Sequence, residues 1–157
     1  PFLELPSKEN GLDIEGLAIV SGAAFLGLRG PLIDSFAVVV EISCDAQLQI
    51  AQSALHFIDL GGLGIRDLAS NEDEIVLIAG PVTAATSPFR LFRWTPQRTK
   101  AVQQAFMLFE WRTSDEKPEG LCVTKLDGTR GAILIYDSPD GRRVDDDKYS
   151  ADWLTLT

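Results

Sequence analysis

The strongest constraint on this chain is that one pattern runs through it three times. Ile14-Glu15-Gly16-Leu17-Ala18 returns as Ile65-Arg66-Asp67-Leu68-Ala69 and as Pro118-Glu119-Gly120-Leu121-Cys122, at offsets of 51 and then 53 residues. A second stretch follows each copy. Ala24 to Pro31 is answered by Ile75 to Pro81, and the third version runs from Ile133 to Pro139. Ala37 to Ile42 and Phe89 to Trp94 then supply β-branched and aromatic strand candidates. The series Phe2-Leu3-Glu4-Leu5, Phe57-Ile58-Asp59-Leu60 and Leu108-Phe109-Glu110-Trp111 precedes each opening motif, with an acidic residue at the same place every time.

Self-similarity at this period marks an array of supersecondary units. Four short strands per unit, closed by glycine and proline, describe an all-β protein made of β-propeller blades, small antiparallel sheets packed face to face. The predicted units are 12–60, 63–111 and 116–157 of a single domain, 1–157, with residues 1–11 as a strand of a preceding blade. Near-continuous apolar runs such as Val38 to Val40 and Ile75 to Ile78 fit strands covered on both faces. Short helices are allowed between third and fourth strands, at Asp45 to Leu55 and Gln97 to Phe106, where Gln and Ala are frequent. A β-sandwich or solenoid is the alternative architecture.

Three blades do not close a ring, since propellers typically have four to eight. The missing blades come either from upstream chain or from a second copy in a homodimer. The last ten residues, from Lys148, read as a closing strand of the third unit. The chain lacks an initiator methionine or a leader, so its start looks processed, and any secretion signal would lie upstream of Pro1.

The formal charge is −9, from 14 basic and 23 acidic residues, which argues against nucleic acid as a partner. No apolar stretch has the length of a membrane-spanning helix. These features leave a soluble protein, cytoplasmic or exported. Cys44 and Cys122 lack metal-type spacing and read as small core residues.

In a propeller the first strand of each blade lines the channel, so Glu15, Arg66 and Glu119 are expected to face a common axis at its mouth. Asp13 and Asp67 flank that ring, and Arg29 joins it from the second strand, where the later copies carry Ala79 and Asp137. Three uses are open: a salt-bridged plug, a Ca²⁺ or Mg²⁺ site built from Asp13, Glu15 and Glu119, or catalysis. Arg29 suits a carboxylate or phosphate, or an internal pair with Asp34 or Glu15. His56 serves no nucleophile motif and reads as structural. Gly61-Gly62-Leu63-Gly64 reads as an interblade turn, Asp145-Asp146-Asp147 as a solvated turn, and Trp94, Trp111 and Trp153 as packing residues.

The residues Gly11 to Ala18, Gly27 to Leu32, Gly64 to Leu68, Phe89 to Trp94 and Pro118 to Leu121 together resemble a family of uncharacterised bacterial proteins known as a domain of unknown function. The resemblance covers nearly the whole chain and places it in the C-terminal part of that family's domain. It implies a distant likeness to phytase-like and esterase-like propellers, where axial acidic residues hold calcium. Three functions follow: a ligand- or protein-binding module at the channel mouth, a Ca²⁺- or Mg²⁺-dependent phosphoesterase- or esterase-like hydrolase, and a structural half-ring that dimerises.

Overall fold

The computed structural model describes residues 4–83, 88–112, 116–137 and 139–156. These build an all-β protein of stacked antiparallel sheets, compatible with incomplete propeller blades. The first sheet contains β1 (Asp13–Val20), β2 (Ala23–Gly30), β3 (Ala37–Cys44) and β4 (Ile50–Asp59) in spatial sequence. The second runs β5 (Gly64–Asn71), β6 (Glu74–Gly80), β7 (Arg90–Trp94), then β9 (Phe106–Glu110). The third has β10 (Lys117–Leu126), β11 (Thr129–Asp137) and β14 (Asp152–Thr155), while β12 (Val144–Asp145) and β13 (Lys148–Tyr149) form a small hairpin of their own.

The first hairpin of each sheet is built alike. All three turn on a residue at positive φ, Ser21 at 49°, Glu72 at 59° and Asp127 at 48°, as tight two-residue hairpins require. Gly61 and Gly62, at φ 70° and 77°, carry the chain from β4 of the first sheet to β5, the inner strand of the second.

Alternation along β6 explains why its apolar run is unbroken. Ile75, Leu77 and Ala79 face the first sheet and join a core with Ala18, Val39, Ile58, Ile65, Leu68 and Trp94. Val76 and Ile78 face the third sheet and join Phe89, Leu91, Trp111, Leu134 and Tyr136. The second sheet is thus the middle layer of a stack, and β6 is buried on both faces.

Polar contacts pin neighbouring layers at the hairpin ends. Ser70 donates to the Ile19 carbonyl at 2.7 Å and accepts the Ile19 N–H at 3.2 Å, and Arg130 donates to Asn71 at 2.8 Å.

Several expectations need correction. Neither allowed helix exists: residues 50–59 are strand β4, and the 97–106 region holds β8 (Val102–Gln104), which pairs in parallel with β4 as a fifth strand of the first sheet. Tertiary pairing overrides the helix propensity of Gln and Ala, because β4 offers an open edge. Among the described residues 4–11 there is no strand but a 3-10 turn at Ser7–Glu9; Phe2 and Leu3 lie outside the described residues. The third sheet has three described strands where four were expected, and only Asp152–Thr155 of the final stretch joins it. Both cysteines are free and exposed, so neither belongs to the core.

Candidate functional site

Each inner hairpin is interrupted at one equivalent place. Ile14 pairs with Leu28 and Gly16 with Gly27, which skips Glu15; Ile65 pairs with Ala79 and Asp67 with Ile78, which skips Arg66; Pro118 pairs with Tyr136 and Gly120 with Ile135, which skips Glu119. An extra residue in one strand is a β-bulge, which bends the strand and re-aims the side chain it displaces. The displaced residue is charged in all three sheets. Because β5 packs between β1 and β10, the three charges meet at one end of the inner strands.

Arg66 is the centre of the group. Its Nη2 donates to the Glu119 carboxylate, its Nε lies 3.1 Å from Glu15 Oε2, and its side chain is only 7% exposed. The Phe89 ring lies 5.8 Å from its guanidinium carbon. Arg29 extends the chain, with Nη1 at 3.1 Å from Glu15 and 3.6 Å from Asp13, and Nη2 at 3.4 Å from the Val82 carbonyl. Arg29 therefore pairs with Glu15 and Asp13. The Nε atoms of both arginines are buried and make no hydrogen bond; that of Arg66 is at ion-pair distance from Glu15, but its N–H is not aimed at the oxygen. Burial pulls the Arg66 guanidinium below its usual value, and Arg29 adds to this while Glu15 and Asp13 oppose it.

Asp67 stands apart from this mouth. Its two oxygens accept the backbone N–H groups of Leu68 and Leu121, both at 2.8 Å, so it staples β5 to β10. Burial raises its pKa above the ordinary 3.8, and the two N–H bonds partly offset that rise. Among the described residues no group of three or more His, Cys, Asp or Glu side chains could hold a metal ion. The carboxylates of Asp13, Glu15 and Glu119 are turned onto Arg29 and Arg66 instead. A cleft of about 370 Å³ opens beside Arg29's partner Val82, lined by Asn10, Leu32, Gly62 and Pro81.

Two further polar clusters escaped the sequence reading. One is a buried chain: Trp94 Nε1 donates to Gln103 at 3.0 Å, Gln103 reaches His56 Nδ1 at 2.8 Å, and His56 Nε2 reaches Glu41 at 2.8 Å. Arg98 caps it from solvent, and this guanidinium holds the Glu41 carboxyl below its ordinary value against the opposing effect of burial. The structural reading of His56 agrees with its 1% exposure. Its partners were invisible because Gln103 lies 47 residues away, in a strand that sequence pattern had not resolved.

The other cluster is a clamp on the third sheet. Arg143 binds Glu116 and Asp152 bidentately and stacks 4.1 Å from the Tyr136 ring centre, while Tyr136 donates to Asp152 at 2.5 Å and accepts from Trp111 at 3.0 Å. Arg143 holds both carboxyls below their ordinary values, 4.5 for Glu116 and 3.8 for Asp152. A carboxyl depressed in the folded state contributes stability above its unfolded value, and that contribution fades as pH falls through the folded one. Urea midpoints at about pH 7 and about pH 3 should therefore differ more for the native protein than for Arg143→Met. Equal acid sensitivity in the two would remove the clamp from the account.

The fold and this mouth define a class: a stack of blade-like sheets whose inner strands present one charged residue each at a shared end. The chain belongs to the family described as "Protein of unknown function (DUF3616)", whose model matches residues 1–152. No curated protein and no solved structure matches it. Among the described residues no helix is long and apolar enough to cross a membrane.

Proposed function

We propose that this chain is a β-propeller-type binding module, which takes a ligand or protein partner at the mouth where Glu15, Arg66 and Glu119 meet, and is not an enzyme. The observation that carries this reading is the bulge repeated in three inner strands, each aiming a charged side chain at the same place. Arg29 and the cleft beside Val82 adjoin that place, so a bound group has both a recess and charged partners.

The chemistry available is exchange of ion pairs. A ligand carboxylate can take the place of Glu15 or Glu119 on Arg66, and a ligand ammonium can take the place of Arg29 on Asp13. Among the described residues, the only histidine is enclosed by Glu41, Gln103 and Trp94, away from the mouth, which leaves the mouth without an imidazole base.

Thermal shift against a panel of small carboxylates, phosphates and amines tests the reading. A rise in melting temperature with at least one class is expected, and it should vanish in Arg66→Met. Hydrolysis of phosphate or carboxylic esters by the native protein, with or without Ca²⁺ or Mg²⁺, and abolished by Glu15→Ala, would replace this reading with a hydrolase.

A further inference from the structure

At the opposite end of the β1–β2 hairpin from the mouth, a second cleft of about 390 Å³ opens between Ser21, Phe25, Glu41, Asp73, Pro96 and Arg98. Its floor is Glu41, whose side chain is only 6% exposed. The fold does not require a carboxylate there. Register makes Glu41, Arg93 and Trp153 equivalent: they lie beside Phe25, Val76 and Ile133, each the residue before the leucine that pairs with Leu17, Leu68 or Leu121. The second and third sheets fill this position with part-exposed Arg93 and Trp153. Burying a carboxylate is costly, so one kept in a single sheet, at the floor of an open cleft, points to a use beyond packing.

Glu41 is also held in place from behind. His56 Nε2 donates to its Oε2 at 2.8 Å, and Gln103 and Trp94 fix the imidazole in turn. A binding group needs such a supporting chain to stay aimed. Its seat receives the Arg98 guanidinium, which donates through Nε to Oε2 at 3.1 Å and through Nη2 to Oε1. Arg98 comes from the turn between β7 and β8, its side chain is 58% exposed, and among the described residues Glu41 is its only side-chain partner. The seat thus matches a planar guanidinium fork, and the one it holds is open to solvent. Asp73 in the same cleft accepts from Ser21 Oγ at 3.3 Å and contacts no described cation. Two carboxylates therefore share one guanidinium.

We propose that this cleft binds a small guanidinium-bearing cation, which displaces Arg98 from Glu41 and sets a second positive group toward Asp73, with Arg98 as its internal competitor. Exchange of one guanidinium for another leaves no buried charge unpaired, and a chain of net charge −9 draws cations toward it. The volume suits a small molecule or a single side chain. This site is separate from the mouth, and neither reading depends on the other.

The chain has one histidine, so the imidazole NMR signals of His56 report on Glu41 without ambiguity. Titrating the native chain with agmatine, a guanidinium joined to an ammonium by a short chain, should move those signals saturably, and the Arg98 Nε–H signal should move with them. In Arg98→Ala half-saturation should come at a concentration about tenfold lower, because the internal competitor is gone. Asp73→Asn, on an exposed turn, should weaken the binding, and butylamine, which has the ammonium alone, should move the signals little. His56 signals that stay put in the native chain overturn the proposal, even if they move in Arg98→Ala, since Arg98 is then a fixed cap. An equal response to butylamine or to sodium chloride overturns the guanidinium class. An unmoved Arg98 signal, or equal half-saturation with and without Arg98, overturns the displacement, and an unchanged affinity in Asp73→Asn overturns the second contact.

Discussion

Gln103→Ala should cost about 4 kcal/mol, although glutamine is an ordinary surface residue and this one sits on a strand of three. Its side chain is 2% exposed, and donors fix its orientation. The Trp94 indole N–H and the Gln97 backbone N–H, at 3.0 and 2.8 Å, both reach the same atom, which must therefore be the oxygen. The amide nitrogen then faces His56 Nδ1, which must be bare, and the imidazole hydrogen sits on Nε2 and is donated to Glu41. Alanine at 103 strands three such groups at once, and each buried orphan costs about 1–3 kcal/mol, with the total less than additive. Unfolding in urea followed by tryptophan fluorescence should show the loss, while Gln104→Ala next door, on an exposed side chain, should change stability by less than about 0.5 kcal/mol. A loss below about 1 kcal/mol for Gln103→Ala would mean that water replaces the amide and that β8 is not held by this chain of bonds.

The repeat was legible because the same short apolar and glycine neighbours flank the bulged position in each inner strand, whatever the length of the hairpin beyond it. Glu15, Arg66 and Glu119 could be aligned from Gly, Leu and Ala neighbours alone, and the structure brings those three side chains together. Arg29 was legible for the opposite reason, as a charge that the other copies do not share. Asp67 looked like part of the mouth, but the bulge shifts the alternation by one residue, so its carboxylate meets backbone N–H groups between β5 and β10. The segment around Gln103 was illegible because its strand exists only through pairing with β4, more than forty residues earlier. Arg143 was hidden similarly: beside an acidic turn it reads as solvated, and only the folded third sheet places Glu116 and Asp152 around it. Local patterns report turns and runs of one strand, whereas these sites are made by contacts between strands distant in the chain.

Arg66→Met should be the most damaging single change at the mouth, at about 3 kcal/mol. Methionine keeps the apolar stem of the side chain but loses both the charge and the guanidinium stacked on Phe89. What remains are two carboxylates, Glu15 at 24% and Glu119 at 29% side-chain exposure, aimed at the place the guanidinium occupied. Arg29 still pairs with Glu15, but no described cation besides Arg66 contacts Glu119. Breaking a buried ion pair from one side leaves an uncompensated charge, which is why the loss should exceed that of Glu15→Gln, where Arg66 keeps Glu119 and Arg29 keeps Asp13. Salt should recover part of the loss in Arg66→Met by screening the two carboxylates, and adding Glu15→Gln with Glu119→Gln to the same chain should recover most of it. If the triple variant stays as unstable as Arg66→Met, the guanidinium acts through its packing and not through its charge, and a mouth organised by ion-pair exchange loses its physical basis.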